Sequence, residues 1–378
     1  MMLACSRITV CGLILLFLSA LQYAQAATIS SVSGNGCDGN SIIITGSGFG
    51  THSVVTQWLG GSDGLIETSP VGVPPPNVNN WTFDSFGDNY ITTDSVHSGN
   101  HAFRNDLIRN IVYAAAIRYG WSSQIGYSQD TFISWWVRRV HVGEGQWKMF
   151  RVSYANDITD IATPQFKMFN WDNGTQFFVV AGPTTNATGA SWSMPYPTQD
   201  NRWYRMDVEV HTSSGHATSD GNYLVRLYDP ESETVFRQNT VMNTMSFNDD
   251  NDYYQWFLWQ NYMGNDIDGN LMLSQSTWTD DIYIQVGEKS RLELCDKPVW
   301  ADRTHCEIQV PTEWSDSSIE FTFNRGSFNG GLTAYIFVID NDGNVSNGYP
   351  VTVGETTAPH PPSTLHVDKI GDGAKITR

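Results

Sequence analysis

Apolar and polar residues alternate with a period of two along most of this chain, in short runs rich in β-branched and aromatic side chains and bounded by Gly, Asn, Asp and Pro. Successive side chains of an extended strand point to opposite faces, so this alternation predicts half-buried strands. The clearest runs cover residues 41–45, 132–140, 203–211, 223–228, 281–286, 319–323 and 333–339. Helical spacing is nearly absent. One candidate, residues 105–118 with Ala114, Ala115 and Ala116 inside it, predicts a turn or two of helix. The expected fold class is all-β, built of sandwiches. Within 132–140 the parity places Ile133, Trp135 and Val137 on one face and Ser134, Trp136 and Arg138 on the other.

The start of the chain changes the picture. Arg7 precedes an apolar run from Cys11 to Leu21, and Ala24-Gln25-Ala26 supplies the small-x-small pattern that a signal peptidase cuts. Residues 1–26 are therefore expected to be a removable leader, with a secreted (extracellular or periplasmic) mature chain beginning near Ala27. No later apolar stretch approaches the roughly 20 residues of a membrane-spanning helix, so the mature chain is not expected to span a membrane. With 21 Lys and Arg against 39 Asp and Glu, the net charge is −18, and loss of Arg7 makes it one unit more negative. That balance argues against a nucleic-acid partner and fits solubility outside the cell, with calcium binding as the sharper use of the acidity. Three cysteines follow the leader: Cys37, Cys295 and Cys306. An oxidising compartment favours pairing, and the odd count leaves one thiol over. Cys295 with Cys306 closes a short loop, whereas Cys37 with either ties the chain's two ends together; spacing does not choose.

Both ends carry a more specific pattern. Ile29-Ser30-Ser31-Val32-Ser33-Gly34 leads to Ser41-Ile42-Ile43-Ile44-Thr45-Gly46-Ser47-Gly48-Phe49-Gly50, which resembles the opening two strands of an IPT/TIG domain, an immunoglobulin-like fold. No closing half follows directly. Trp314-Ser315-Asp316-Ser317-Ser318-Ile319, then Ala334-Tyr335-Ile336-Phe337-Val338 and the turn Asp342-Gly343-Asn344-Val345-Ser346-Asn347, resemble the same domain's last strands. The resemblance implies one discontinuous immunoglobulin-like domain, residues 27–52 and 290–354, with residues 53–289 inserted into it. Residues 355–378 begin with a stiff Pro-rich linker and end in a segment that resembles the first strand of a fibronectin-type module, expected to be disordered or loosely docked.

The inserted region resembles the concanavalin A-like lectin and glucanase jelly roll. The likeness rests on Ser134-Trp135-Trp136-Val137-Arg138, on Gln146-Trp147-Lys148-Met149-Phe150-Arg151, on the strand 203–211 with the Gly221 turn after it, and on Asp280-Asp281-Ile282-Tyr283-Ile284. Members of that fold divide into hydrolases, lyases and binders, so each chemistry is weighed on the residues it needs. A retaining glucanase of this fold uses Glu-x-Asp-x-Glu on one strand. Here the nearest match is Arg205-Met206-Asp207-Val208-Glu209, whose arginine cannot act as a nucleophile, and Asp207 with Glu209 reads as a solvated face. The alginate-lyase motifs Arg-Ser/Thr-Glu-x-Arg, Gln-Ile/Val-His and Tyr-Phe-Lys-x-Gly-x-Tyr are missing. What such a lyase needs in outline is present: cations at Arg138, Arg139, Lys148, Arg151 and Lys167 to neutralise a uronate, with His141 and Tyr262 as conceivable bases.

The third reading is recognition alone. Sugar rings present apolar C–H faces, and binding grooves meet them with aromatic platforms flanked by polar groups. The candidate carbohydrate-binding residues are Trp136, Arg138, Trp147, Lys148, Arg151, Trp259 and Tyr262, and no catalytic residue is assigned. Hydrolases of this fold often hold a structural calcium with an Asp opening the last strand; Asp281 occupies the matching place, and the acidic loops 248–252 and 266–270 offer further oxygen ligands. No zinc motif is seen, since the nine His lack paired spacing and no Cys-x-x-Cys occurs. Nucleophile-elbow, phosphate-loop and dinucleotide motifs are absent. The leading expectation is a secreted glycan-recognition protein, with a polysaccharide or cell-surface glycan as partner. The alternatives are a lyase acting on a uronate-containing polymer and a structural or adhesive surface module.

Overall fold

A computed structural model of the chain describes residues 27–52, 56–60, 64–83, 88–107, 116–142, 147–153, 165–171, 176–182, 190–194, 198–247, 253–263, 274–354, 366–370 and 373–377. The predicted leader, the acidic loops 248–252 and 266–270 and the Pro-rich linker lie outside the described residues. In chain order the strands begin with β1 (Thr28–Gly34), β2 (Ser41–Ser47), β3 (Thr56–Trp58), β4 (Trp81–Phe83), β5 (Asp88–Thr92), β6 (Ala102–Leu107), β7 (Ile117–Ile125) and β8 (Asp130–Val142). They continue with β9 (Trp147–Ser153), β10 (Gln165–Trp171), β11 (Gln176–Gly182), β12 (Ala190–Met194), β13 (Trp203–His211), β14 (Ser219–Asp229), β15 (Thr234–Met245), β16 (Tyr254–Met263) and β17 (Ser274–Val286). Last come β18 (Arg291–Cys295), β19 (Cys306–Trp314), β20 (Ser318–Thr322), β21 (Thr333–Ile339), β22 (Tyr349–Thr352), β23 (His366–Ile370) and β24 (Gly373–Thr377). One four-residue helix, α1 (Leu65–Thr68), interrupts them.

Two antiparallel sheets make a jelly-roll β-sandwich. One has seven strands in the order β12-β11-β10-β9-β16-β7-β4; the other has eight, β15-β14-β13-β8-β17-β6-β5 with β3 joined to β17. The inward residues of both, among them Tyr119, Phe150, Val152, Phe257 and Trp259 from the first and Ile133, Trp135, Met206, Val208, Ile282 and Ile284 from the second, form one buried cluster. Alternation dictates this: every second residue meets the other sheet, and its neighbours face outward. The helix expected over 105–118 does not form across that span, because its start lies in β6 and its end in β7, both paired in register with neighbouring strands.

The chain's two ends meet in a third sheet, ordered β1-β2-β20-β19-β18-β21-β22. Ile42 and Ile44 of β2 stand opposite Phe321 and Ile319 of β20, and with Leu292, Leu294, Ile336 and Val338 they form a second core. Cys295 and Cys306, opposite one another at the end of the β18–β19 ladder, are disulfide-bonded, and Cys37 is not part of a disulfide. The turn at Asp340 reverses the chain: the Asp340 carboxylate accepts from the backbone N–H groups of Asp342 and Asn344, and Gly343 takes φ +84°, which suits a residue without Cβ. The tail is not a lone strand, since β23 and β24 pair antiparallel as a hairpin. Among the described residues no helix is long and apolar enough to cross a membrane.

This third sheet covers the outer face of the eight-stranded one. Arg205 is fully buried there, pairing with Asp207 at 2.9 Å and with Glu293 of β18 at 3.1 Å, and donating to the Cys306 carbonyl at 2.8 Å. Arg291 pairs with Glu293 at 2.7 Å and reaches across to Glu209 at 3.2 Å. Phe132 and Tyr283 pack with Ile308, and Tyr228 packs with the disulfide and Phe337.

Candidate functional site

The pairing of the seven-stranded sheet places Arg118 of β7 directly opposite Leu258 of β16, Leu258 opposite Arg151 of β9, and Arg151 opposite Lys167 of β10. Residues opposed in an antiparallel ladder share a face. The neighbours of Arg118, Leu258 and Arg151 along each strand, namely Ile117 and Tyr119, Phe257 and Trp259, Phe150 and Val152, belong to the core. The row therefore lies on the outer face, the one turned away from the eight-stranded sheet. It runs below the molecular surface: Arg151 is 5% exposed and Leu258 is buried. Burial lowers the Arg118 pKa from its ordinary value, yet a guanidinium starts so high that it stays cationic at neutral pH. One row along, Gly120 stands opposite Trp256, and Trp256 opposite Ser153. A Cβ on Gly120 would meet the Trp256 ring at 2.8 Å, so only glycine lets the indole lie across β7. Beyond a register shift in β16, Tyr262 is opposed to Lys148, and Lys148 to Phe169.

The expected site residues divide between this face and other places. Arg151 stands in the row; farther along the same two strands, beyond the register shift, Lys148 is paired with Tyr262 and Trp147 with Met263. Trp259 is a core residue, fully buried against Trp135, Phe150 and Trp81, so it offers no platform to a sugar. Trp136 does face outward from its strand, as parity predicts, but from the other sheet. It is 2% exposed, stacks on His97 with ring centres 3.6 Å apart, and donates its indole N–H to Glu307 of β19 at 3.0 Å. The third sheet fills the space a glycan would need. Arg138, on the same face, lies over Trp278 at 4.3 Å and donates to Asn201. Arg139 turns inward and pairs with Asp200 at 3.6 Å. The sequence-local group of cations is thus split between two sheets, and Arg118, assigned to a helix by its alanine-rich neighbours, joins it from a distant strand.

Asp207 and Glu209 are not a solvated face. Asp207 is fully buried, and Glu209 is clamped by Arg226 at 2.8 Å and Arg291 at 3.2 Å. Burial alone would raise the Glu209 pKa; the two arginines outweigh it and hold the carboxyl below its ordinary value. A glycosidase acid needs the opposite shift. A cleft of about 490 Å³ opens beside this pair between the third sheet and the eight-stranded one, but Arg226 and Arg291 in its wall are spent on Glu209 and Glu293.

Asp281 sits at a bulge in β17, where pairing with β8 slips between Asp280 and Tyr283 and Asp281 takes φ +49°. Its carboxylate accepts from the Ser98 hydroxyl at 2.8 Å, and Asp280 beside it accepts from the backbone N–H groups of His97, Ser98 and Asp281. Those neighbours are hydrogen-bond donors, whereas calcium needs six to eight oxygen atoms converging on it. The described residues around Asp281 do not make a calcium shell.

No family model matches this chain, and no curated protein matches it. Solved structures resemble it in part. The marine PL-14 alginate lyase from Aplysia kurodai is 13% identical, with a TM-score of 0.43, over 62% of this chain and 99% of that one. The endo-β-1,4-glucuronan lyase from the fungus Trichoderma reesei is 11% identical, with a TM-score of 0.37, over 55% of this chain and 87% of that one. The enzymatically active domain of bacteriophage CBA120 tailspike protein 2 is 11% identical, with a TM-score of 0.38, over 56% of this chain and 29% of that one. The likeness is one of fold alone.

Proposed function

We propose that the outer face of the seven-stranded sheet takes a uronate-containing polysaccharide and that the chain cleaves it by β-elimination outside the cell. The observation that carries this reading is the cross-strand row Arg118–Leu258–Arg151, continued in register by Lys167. Cations gathered across three strands of a protein with net charge −18 set a local positive potential against the overall one, and an anionic polymer is the partner such a row selects. The removal of Trp136 and Trp259 from the candidate platforms weakens the case for a neutral-sugar lectin and leaves the charged face.

Elimination makes three demands. The uronate carboxylate must be neutralised, so that the proton on C5 becomes acidic enough to leave; Arg151 and Arg118 are assigned that role. A base must take the C5 proton, and the electron pair it leaves forms the C4–C5 double bond as the C4–O4 bond breaks. The departing O4 must receive a proton. Tyr262, farther along β16 from the row, is assigned the proton transfers. Arg151→Ala should abolish retardation of the chain in gels containing a polyuronate while leaving its near-ultraviolet circular dichroism intact. Tyr262→Phe should keep the retardation and lose cleavage. Retardation unaffected by Arg151→Ala would move the ligand away from this face.

A further inference from the structure

A second cluster lies where the third sheet covers the eight-stranded one. His97, in the loop between β5 and β6, and His305 and Glu307, at the start of β19, bring Nε2, Nε2 and a carboxylate oxygen within 4.8 Å of one another. Glu307 is fully buried, and His97 nearly so. Each group is held from outside the cluster. His97 stacks on Trp136, and His305 stacks on Phe328 with ring centres 4.1 Å apart. Trp136 takes the other oxygen of Glu307. Gly326, at φ +56°, lets the backbone close over the Glu307 side chain, for a Cβ there would meet its carboxyl carbon at 2.1 Å.

The crowding at one atom is the informative feature. Oε1 of Glu307 has four groups within hydrogen-bond distance: His97 Nε2 at 2.9 Å, His305 Nε2 at 2.6 Å, Ser327 N at 3.1 Å and Ser327 Oγ at 3.2 Å. A carboxylate oxygen has two lone pairs, so four such neighbours crowd it, and the Ser327 hydroxyl also lies 3.1 Å from His305 Nε2. Two imidazoles approach one carboxylate oxygen through the same ring nitrogen, and two imidazole nitrogens with a carboxylate oxygen are a donor set that zinc takes. Tetrahedral bonds of about 2.0–2.1 Å to zinc set the ligand atoms about 3.3 Å apart, so His97 Nε2 at 2.9 Å and His305 Nε2 at 2.6 Å would draw back from the oxygen by about 0.4 and 0.7 Å. Asp281 Oδ2 lies 4.0 Å from His97 Nε2, the nearest further carboxylate, on a residue held in a left-handed conformation.

We propose that His97, His305 and Glu307 form a zinc site that staples the jelly roll to the third sheet, with Asp281 or water completing four ligands. Two imidazoles and a carboxylate suit zinc and disfavour calcium, which takes oxygen. Sequence spacing hides the site, since His97 and Glu307 are 210 residues apart. The polysaccharide face is on the other sheet, so the proposal stands apart from the reading above.

The test uses the full mature chain, stripped with a chelator and dialysed. Titrated with Zn²⁺, it should bind one equivalent and melt at a higher temperature, and Ca²⁺ should do neither. Losing an outer-shell partner costs a metal site roughly 10–100-fold in affinity, so His97→Asn and His305→Asn, which each remove a direct ligand, should weaken Zn²⁺ binding by more than about 100-fold. Co²⁺ bound to the unsubstituted chain should give the intense visible absorption of a four-coordinate ion, a readout that does not depend on either variant folding. Zn²⁺ binding unchanged in both folded variants would overturn the proposal. So would the weak visible spectrum of six-coordinate cobalt.

Discussion

Trp136 shows how one residue's place decides what it does. Its ring is buried between His97 and the covering sheet, and its N–H satisfies a buried carboxylate. Trp136→Ala removes a large ring from a packed interface and should cost about 3–5 kcal/mol of stability, read from denaturant unfolding. Trp136→Phe keeps most of the volume and should cost about 1–3 kcal/mol, for the hydrogen bond lost at Glu307. In protein that stays folded, neither should weaken retardation by a polyuronate; if either does, the tryptophan belongs to the ligand site after all. Parity along 132–140 correctly puts Trp136 on the outward face, because backbone geometry alone sets which residues share a side. It carries no information about what lies over that face. That depends on a sheet built from the two ends of the chain.

At the scale of elements, the β18–β19 ladder joins the disulfide, Glu293 and Glu307. Cys295 and Cys306 are 11 residues apart, and a loop that short restrains the unfolded chain by about 3 kcal/mol in the chain-entropy account. Replacing both cysteines by alanine should lower stability by about that much, measured by denaturant unfolding, and leave Cys37 as the reactive thiol. A bridge that moved to Cys37 in the folded protein would contradict the ladder register. The alternation read from the sequence falls within the observed strands wherever one face is apolar and the other polar, as in β2, β13 and β21. It fails at the start of β7, where the alanine run just before the strand reads as helix and conceals Arg118. Local propensity is a weak prior once a strand has partners on both sides. The register that sets Arg118 beside Arg151 comes from pairing through β16, which lies far along the chain from β7, and no pattern within either strand encodes it.

For the whole molecule, the contact between the third sheet and the jelly roll is where charge is concentrated. Burial tends to raise the carboxyls of Glu209 and Glu293, but Arg226 and Arg291 around the first and Arg205 and Arg291 around the second hold both below their ordinary values. A depressed folded pKa means a contribution that is complete above the unfolded value of about 4.3 and is lost as pH falls through the folded values. Asp280 acts in the opposite sense. Burial first and the Asp281 charge second raise its pKa, so its cost to stability begins as pH rises past the unfolded value of about 3.9 and is complete above the folded one. Unfolding midpoints should therefore fall steeply below about pH 4. Glu293→Gln, which leaves Arg205 and Arg291 short of a buried counter-charge, should cost about 3–5 kcal/mol at neutral pH and flatten the acid limb. The all-β class and the repeated strands were legible because period-two patterning is local. The buried ion pairs were not, since Arg205, Asp207 and Glu209 alternate like a solvated strand until Glu293 and Arg291 arrive from beyond the jelly roll.

Cleavage at the outer face of the seven-stranded sheet is tested most directly by the ultraviolet absorbance of the protein incubated with soluble polyuronates. Rising absorbance from the unsaturated uronate, on uronate polymers and not on neutral glucans, absent in Tyr262→Phe and in Arg151→Ala, is the predicted result. A chain that is retarded by these polymers yet yields no absorbance is a binding protein, and one that neither binds nor cleaves any of them contradicts the assignment of this face altogether.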